Sequence, residues 1–186
     1  RENRRKISET VSGGYKMKLL RTFPFIYRAW IQHRLNRNGN FLKFKNKTLP
    51  FSSQIDCENG AKYKIEGLIL RDRCSVRVRK GGNLNIGDNV AFNNNCILTC
   101  RGEITIGADT NIGPNCAIFD HDHDYMSKNR MDNYKIGSIM IGKNVWIGAN
   151  VTILKNSVIG DNCVVGAGSV VRGEYHSNTL IVGNPA

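Results

Sequence analysis

Two histidines stand two residues apart inside a run of aspartates, and this run carries the clearest chemical potential of the chain. It reads Asp120, His121, Asp122, His123 and Asp124. An imidazole, with an unperturbed pKa of about 6.5, can take a proton from a hydroxyl group near neutral pH. A neighbouring carboxylate can orient the ring or raise its pKa. The run is therefore where acid–base chemistry is expected, although exposed loop histidines among solubilising aspartates would give the same pattern.

The other histidines and the cysteines do not indicate a metal site. His33 and His176 lie far from the aspartate-rich run, and the six cysteines include no CxxC pair. A zinc centre needs several ligands at suitable spacing. We therefore expect no bound metal, and we expect the cysteines to be reduced thiols of a cytoplasmic protein.

A repeat of six residues indicates the elements that must position the histidines. Neither a helix, with its period of 3.6, nor a single strand, with its period of 2, gives this spacing. A six-residue period is typical of a solenoid whose coils are built from short parallel strands and turns, three hexads to a triangular coil. A β-sandwich would instead space its strands about 8–12 residues apart. The apolar series are Ile86, Phe92 and Leu98; Ile106, Ile112 and Ile118; and Ile141, Ile147, Ile153, Ile159, Val165 and Val171.

Three more positions of the hexad favour this architecture. Glycine directly follows the apolar residue in seven repeats, and asparagine stands three residues after it in seven. Both residue types accept left-handed backbone angles, so we expect them to form the corners. The fourth position after the apolar residue is small or β-branched, which places Cys96, Cys116 and Cys163 in the core. The glycines are Gly87, Gly107, Gly113, Gly142, Gly148, Gly160 and Gly166, and the asparagines are Asn89, Asn95, Asn115, Asn144, Asn150, Asn156 and Asn162.

The repeat divides the chain into four parts. Residues 1–16 are predicted to be a polar leader, 17–40 an N-terminal helical cap, 41–85 irregular first coils, and 86–186 the regular solenoid. Pro24 fits the first turn of a helix better than its middle. The helical segment covers the open end of the solenoid or lies on a membrane surface. A long interruption of the repeat predicts an ejected loop over 119–140, which contains both histidines of the aspartate-rich run.

The net charge of +12, from 27 basic and 15 acidic residues, is concentrated in one half of the chain. Residues 1–80 hold 20 basic and 6 acidic residues, whereas residues 81–186 hold 7 and 9. No nucleic-acid-binding motif accompanies the basic half, so nucleic acid is not the expected partner. The charge is consistent with attraction to an anionic saccharide or to the anionic inner face of a membrane, or with a solvated basic surface.

Several motifs set within the repeat resemble a known family. IGPNCAIFDHDHDY, NVWIGANV and LIVGNPA resemble segments of the left-handed parallel β-helix acyltransferases of the hexapeptide-repeat superfamily. The branch in question contains galactoside and maltose O-acetyltransferases and the O-acetyltransferases of capsule and O-antigen synthesis. The resemblance implies an all-β, left-handed parallel β-helix that forms a homotrimer, with acetyl-CoA bound in the groove between neighbouring chains.

The resemblance also implies how the acetyl group moves. A histidine just beyond the IGPN hexad removes a proton from a sugar hydroxyl, which attacks the thioester of acetyl-CoA directly. Ungapped alignment from Ile106 places His123 on that histidine, with His121 as its rival. Family members often have proline where this chain has Asp124. That difference favours the polysaccharide-modifying branch over a simple galactoside or maltose acceptor.

Further site residues are implied by the same resemblance. Asn93, His121 and Asp122 would contact the acceptor sugar. Backbone N–H groups near Gly148 and Ala149 would stabilise the oxyanion. The remaining cofactor-binding residues would be Trp146 beside the groove, Gly166 and Ala167 along the pantetheine, and Arg172 at a phosphate of CoA.

Other functions on this fold remain open at the level of sequence. The acyl group could pass to a sugar amine, or the donor could carry a longer acyl chain. The solenoid could be a catalytically silent scaffold. A γ-type carbonic anhydrase would need three metal-binding imidazoles, and the spacing of His121 and His123 does not match that pattern. The sequence thus favours a cytoplasmic sugar O-acetyltransferase that could contact the membrane peripherally.

Overall fold

The computed structural model describes residues 24–46 and 49–186. One short helix, α1 (Pro24–Leu35), lies within these residues, and it begins at the proline that the sequence placed in a first turn. The predicted leader, 1–16, and the first part of the predicted helical segment, 17–23, lie outside the described residues. No helix in the described part is long and apolar enough to cross a membrane.

The rest of the described chain is a parallel β-solenoid with three faces. The first face contains β5 (Asn83–Ile86), β8 (Glu103–Ile106), β13 (Ser138–Ile141), β16 (Ser157–Ile159) and β19 (Glu174–Tyr175). The second contains β6 (Val90–Phe92), β9 (Asn111–Ile112), β14 (Trp146–Ile147), β17 (Val164–Val165) and β20 (Leu180–Ile181). The third contains β2 (Gln54–Cys57), β4 (Ser75–Val78), β7 (Ile97–Cys100), β10 (Ala117–Phe119), β15 (Thr152–Ile153) and β18 (Val170–Val171).

Each coil visits the three faces in turn, and equivalent strands of successive coils pair in parallel. The long strand β3 (Lys62–Leu70) bends across a corner, because its first half pairs with β5 and its second half with β6. β1 (Phe41–Phe44) pairs with β3 and extends the sheet. The three corners are named in chain order. The first edge joins the first face to the second, and the second edge joins the second face to the third. The third edge joins the third face to the first face of the next coil.

The inward positions agree with the predicted repeat. All twelve apolar residues of the hexad series are buried, with exposures of 0–3%. The small residues, including Cys96, Cys116 and Cys163, are buried beside them. The helix adds Tyr27 and Ile31 to the same core. This continuous core fixes the register of every coil, because a shift of one residue would turn its apolar side chains outward.

The corners agree with the prediction for asparagine but not for glycine. All seven predicted asparagines have positive φ, and Asn95, Asn115 and Asn150 form a ladder of side-chain hydrogen bonds of 2.9 and 3.1 Å. None of the seven glycines has positive φ. Their role is close stacking of coils, since a Cβ on Gly107 would lie 2.5 Å from the carbonyl carbon of Gly142.

The ejected loop leaves the solenoid at the third edge. It begins with a hairpin in which β11 (His121–His123) pairs antiparallel with β12 (Tyr134–Ile136). The predicted boundary, 119–140, reaches too far at its C-terminal end. Ile139 is buried and pairs with Ile104, so the coil resumes at the start of β13. Inward residues of a strand recur every two positions, so Ile139 and Ile141 both face the core. The six-residue count marks only Ile141 and therefore overlooked Ile139.

Candidate functional site

His123 is an exposed residue at the end of β11. Its Nδ1 lies 2.9 Å from the backbone carbonyl oxygen of Arg130. A carbonyl oxygen can only accept a hydrogen bond, so Nδ1 carries the hydrogen in this contact. The lone pair of a neutral ring is then on Nε2. This tautomer is the one that a general base needs when its Nε2 faces the substrate.

His121 has a different partner and is less accessible. Its side chain is 11% exposed, and its Nδ1 lies 2.9 Å from Oδ1 of Asp120. Asp120 is fully buried, and its carboxylate also accepts the backbone N–H groups of Arg101 and Gly102 at 2.8–3.0 Å. The buried carboxylate therefore fixes both the His121 ring and the point at which the chain leaves the third edge.

Tyr134 lies against both candidate histidines and was not predicted from the sequence. It pairs with His123 across the hairpin, and the two ring centroids are 4.6 Å apart. The Arg101 guanidinium carbon lies 3.7 Å from the centroid of the same ring, and the ring of His121 meets it edge-on at 5.4 Å. Tyr134 thus holds both imidazoles against the coil. Only the hairpin register places it there, and the sequence offered no signal for that register.

A groove of about 330 Å³ lies beside the histidines at the third edge. Asp122 forms its rim, with an ion pair of 2.6 Å to Lys155. Arg172, which was predicted to meet a CoA phosphate, also lines the groove. Its guanidinium forms no ion pair with any described residue. The groove therefore presents an available cation next to the ejected loop.

A second groove, of about 380 Å³, lies on the second face. Its walls include Trp146, whose surface is 67% exposed, together with Asn93, Asn111 and Arg71. The side-chain oxygen of Asn93 accepts the N–H of Asn94 at 2.8 Å. This bond leaves the amide NH₂ of Asn93 as a donor toward the groove.

The glycine and alanine pairs predicted to bind the cofactor lie along the second edge. The N–H of Gly148 donates to the carbonyl of Val165 at 2.8 Å, and the N–H of Gly166 donates to that of Ile181 at 2.8 Å. Both N–H groups are therefore used in the hydrogen bonds that join successive coils. The N–H of Ala149 donates to no described residue. Of the two N–H groups predicted to stabilise the oxyanion, those of Gly148 and Ala149, only that of Ala149 is available as a donor.

The predicted site residues consequently form two separate groups. His121, Asp122, His123 and Arg172 follow strands of the third face or open the loop there, so they lie at the third edge. Asn93, Gly148, Ala149, Gly166 and Ala167 follow strands of the second face, so they lie at the second edge, beside Trp146. A single chain does not bring the two groups together. A reaction that uses both requires the third edge of one chain beside the second edge of another.

The buried thiols are structural. Cys74, Cys96 and Cys116 are stacked, and their Sγ atoms donate to the carbonyls of Asn93, Gly113 and Gly148 at 2.9–3.1 Å. Interaction with the Cys116 thiol, together with burial, raises the pKa of Cys96 to about 11, whereas interaction with the Cys96 thiol lowers the pKa of Cys116. Because all three are buried, none is placed to act as a nucleophile. The described residues contain no cluster of three or more metal-ligating side chains.

Comparison with known sequences finds a matching family and several relatives. Residues 138–173 match the bacterial transferase hexapeptide (six repeats) family. A "putative acetyltransferase" of Dictyostelium discoideum is 34% identical over 155 residues, which are 83% of this chain and 76% of that protein. Nodulation protein L of Rhizobium meliloti is 35% identical over 122 residues, 62% of this chain and 64% of that protein. The match thus spans less than two thirds of the nodulation protein.

A further relative is named for a saccharide pathway. It is the "putative lipopolysaccharide biosynthesis O-acetyl transferase" WbbJ of Escherichia coli K12. The two sequences are 39% identical over 115 residues, which cover 56% of this chain and 59% of that protein.

Solved structures share the fold. A hexapeptide-repeat-containing acetyltransferase from Vibrio cholerae, complexed with acetyl coenzyme A, is 25% identical with a TM-score of 0.58 and covers 97% of this chain and 85% of its own. A galactoside acetyltransferase in complex with coenzyme A is 26% identical, with a TM-score of 0.52. The match covers 82% of this chain and 63% of that enzyme. An N-acyltransferase from Bacillus cereus, in complex with dTDP-4-amino-4,6-dideoxyglucose and coenzyme A, has a TM-score of 0.63. The match covers 81% of this chain and 85% of that enzyme. Its identity of 23% supports a likeness of fold alone.

Proposed function

The chain belongs to the hexapeptide-repeat transferase family, and on that premise we propose that it transfers the acetyl group of acetyl-CoA to a hydroxyl group of a saccharide. The hydrogen bond of His123 is the observation that supports this function best. With Nδ1 held by the Arg130 carbonyl at 2.9 Å, the exposed ring offers Nε2 as a base. The galactoside enzyme and the lipopolysaccharide enzyme among the similar proteins act on saccharides by name.

The proposed reaction is a direct transfer. Nε2 of His123 takes the proton of the acceptor hydroxyl, and the oxygen attacks the thioester carbonyl carbon. The backbone N–H of Ala149 donates to the oxyanion that forms on the carbonyl oxygen. The carbon–sulfur bond then breaks, and the thiolate of CoA receives the proton from the imidazolium. The products are an acetyl ester of the saccharide and free CoA.

Two chains would complete each site. His123 lies at the third edge and Ala149 at the second edge of the same chain. Three chains packed side by side as a homotrimer would bring the third edge of each to the second edge of its neighbour, with one site in each of the three clefts. Trp146 and Asn93 would then face the histidine of the neighbouring chain.

The donor and the acceptor would lie on opposite sides of Ala149 along the solenoid. Gly166 and Ala167 follow on the next coil toward the C-terminus, where the pantetheine would pass. The groove with Arg172 would hold a phosphate of CoA at its open end, because a guanidinium binds phosphate with charge-assisted hydrogen bonds. Asn93 lies toward the N-terminus and would donate its amide hydrogens to the acceptor.

Oxygen rather than nitrogen is proposed as the acceptor atom, and a surface polysaccharide or its precursor as the acceptor. The 39% identity to WbbJ, which is named as a "putative lipopolysaccharide biosynthesis O-acetyl transferase", supports this choice. The similar N-acyltransferase supports only the fold, at 23% identity. An acceptor pair that differs only in bearing an amine or a hydroxyl at one carbon separates the two reactions.

Calorimetric titration with acetyl-CoA tests the donor before any acceptor is known. We expect saturable binding of one molecule per chain and weaker binding by Arg172→Gln. Arg77→Gln is the matched control, because Arg77 lies on the third face outside both grooves. Absence of binding to a verified oligomer would overturn the proposed function.

A further inference from the structure

The groove on the second face has one charged residue in its lining, and that residue is Arg71. The other lining residues are Asn93, Asn111, Trp146 and uncharged neighbours of the strands. No carboxylate lines the groove. A ligand that enters it therefore meets a single positive charge that no acidic group of the lining offsets.

Within the described part of the chain, the Arg71 guanidinium forms neither a hydrogen bond nor an ion pair, whereas nearby basic residues are occupied. Arg73 donates to Asn95 at 2.6 Å, and Lys45 pairs with Asp88 at 2.7 Å. The carboxylate of Asp72, the neighbour of Arg71 in sequence, accepts the hydroxyl of Ser52 at 2.9 Å. Arg71 is thus an exposed cation that borders the groove with all its donors available.

Trp146 complements this charge with an apolar surface. Its indole is 67% exposed and belongs to the same groove. A flat aromatic face offers a large, rigid contact area to the apolar face of a sugar ring. The amides of Asn93 and Asn111 can exchange hydrogen bonds with hydroxyl groups. The lining therefore fits a saccharide that carries one anionic substituent.

The order of the coils places Arg71 on the acceptor side. Arg71, Asn93, Gly113 and Gly148 directly follow β3, β6, β9 and β14, so they occupy four successive coils at the second edge. Neighbouring strands are about 4.8 Å apart, which puts Arg71 about 14 Å from the coil of Ala149. The proposed pantetheine path, at Gly166 and Ala167, runs in the opposite direction. An anionic group at Arg71 would therefore belong to the acceptor and not to CoA.

We infer that the acceptor is an acidic saccharide whose carboxylate or phosphate binds the Arg71 guanidinium while its ring lies against Trp146. This inference rests on the proposed acetyl transfer. A guanidinium matches both anions through two parallel hydrogen bonds, so either group would satisfy Arg71. A sugar carboxylate and a sugar phosphate are the two sources that an experiment must separate.

Acceptor kinetics of the full chain test the inference. Glucuronate, glucose 1-phosphate and glucose are compared as acceptors for the wild-type protein, Arg71→Gln and the control Arg77→Gln. We expect one of the two acidic sugars to have a KM at least about tenfold below that of glucose, the scale of one charge-assisted hydrogen bond. Arg71→Gln should abolish that preference with little change in kcat, and Arg77→Gln should retain it. Whichever acidic sugar shows the preference identifies the anion.

Equal KM values for the acidic and neutral sugars would overturn the inference. An equal rise in KM for the acidic and neutral sugars in Arg71→Gln would also overturn it. Calorimetric binding of the same three sugars to the CoA-loaded protein provides a second measurement that needs no turnover. Selective binding of an acidic sugar, lost in Arg71→Gln, would support the inference even if no sugar were acetylated. In that case only the proposed transfer would fail.

Discussion

The two histidines of the ejected loop differ in the group that holds Nδ1. His123 uses the backbone carbonyl of Arg130, whereas His121 uses the buried carboxylate of Asp120. A carbonyl leaves the other nitrogen of an exposed ring available as a base. The carboxylate, which also binds two backbone N–H groups, ties the ring of His121 to the wall of the solenoid. This contrast supports His123 as the base and His121 as a residue that shapes the site.

Substitution of Asp120 by asparagine should destabilise the protein. The carboxylate accepts the N–H of Arg101 with both oxygens and that of Gly102 with one. The NH₂ group of asparagine would face one of these donors, and a buried unsatisfied donor costs about 1–3 kcal/mol. Urea unfolding measures the difference. The control is Asp122→Asn, which breaks an ion pair at the surface and should cost less than about 1 kcal/mol. Equal stabilities of the two variants would show that the buried network is not structural.

The two histidines can be identified from the sequence, but the residues that hold them cannot. Residue type and proximity in sequence are enough to single out His121 and His123. Tyr134 lies eleven positions beyond His123 and meets it only because the hairpin has one particular register. Arg101 belongs to a different coil, and its contact with Tyr134 arises from the stacking of coils. Contacts of this kind depend on tertiary structure and leave no periodic signal.

At the scale of elements, two residue types of the hexad have distinct roles. The asparagines adopt the left-handed angle, whereas the glycines provide room for the next coil. Both residue types tolerate left-handed angles, which is why the sequence suggested one role for both. The apolar positions were easier to interpret, because burial every six residues follows from the repeat itself. The start of β13 was misjudged because the six-residue count marks only Ile141, whereas Ile139, two residues earlier, is also buried.

Gly107→Ala should destabilise the solenoid through a clash between coils. The added Cβ would lie 2.5 Å from the carbonyl carbon of Gly142, which belongs to the backbone and cannot rotate away. Forced packing of this kind costs about 1–3 kcal/mol. Gly81→Asn is the matched control. Gly81 has a φ of +85° with no atom within 4 Å of an added Cβ, so asparagine should change stability by about 0.5 kcal/mol or less. If urea unfolding showed the same free energy of unfolding for Gly107→Ala as for the wild type, the role of Gly107 in stacking the coils would be contradicted.

At the scale of the whole molecule, the predicted site residues lie on two edges of one prism. The fold places strands of the second and third faces on different sides of the prism, and the grooves at the two groups share no lining residue. The catalytic unit would then be an interface between chains. From the sequence, an interface of this kind is predicted only through the family resemblance, since periodicity describes one chain.

Mixed oligomers test the shared site. His123→Ala and Asn93→Ala chains should each be inactive alone, because every site lacks one component. Coexpression of both should restore part of the activity, since some interfaces receive His123 from one chain and Asn93 from the other. Two tags with different affinities isolate the mixed species. A verified mixed oligomer as inactive as its parents would show that both residues act within one chain.

The most direct test of the proposed O-acetyl transfer is to identify the product formed from labelled acetyl-CoA and an acidic saccharide. NMR of the product should show an O-acetyl ester, and hydroxylamine should release the label. His123→Ala should lower kcat at least about 100-fold, the scale of general-base catalysis, with acetyl-CoA binding unchanged. His121→Ala should have a smaller effect on kcat. An amide product would contradict transfer to oxygen, and a His123→Ala variant with wild-type kcat would contradict His123 as the general base.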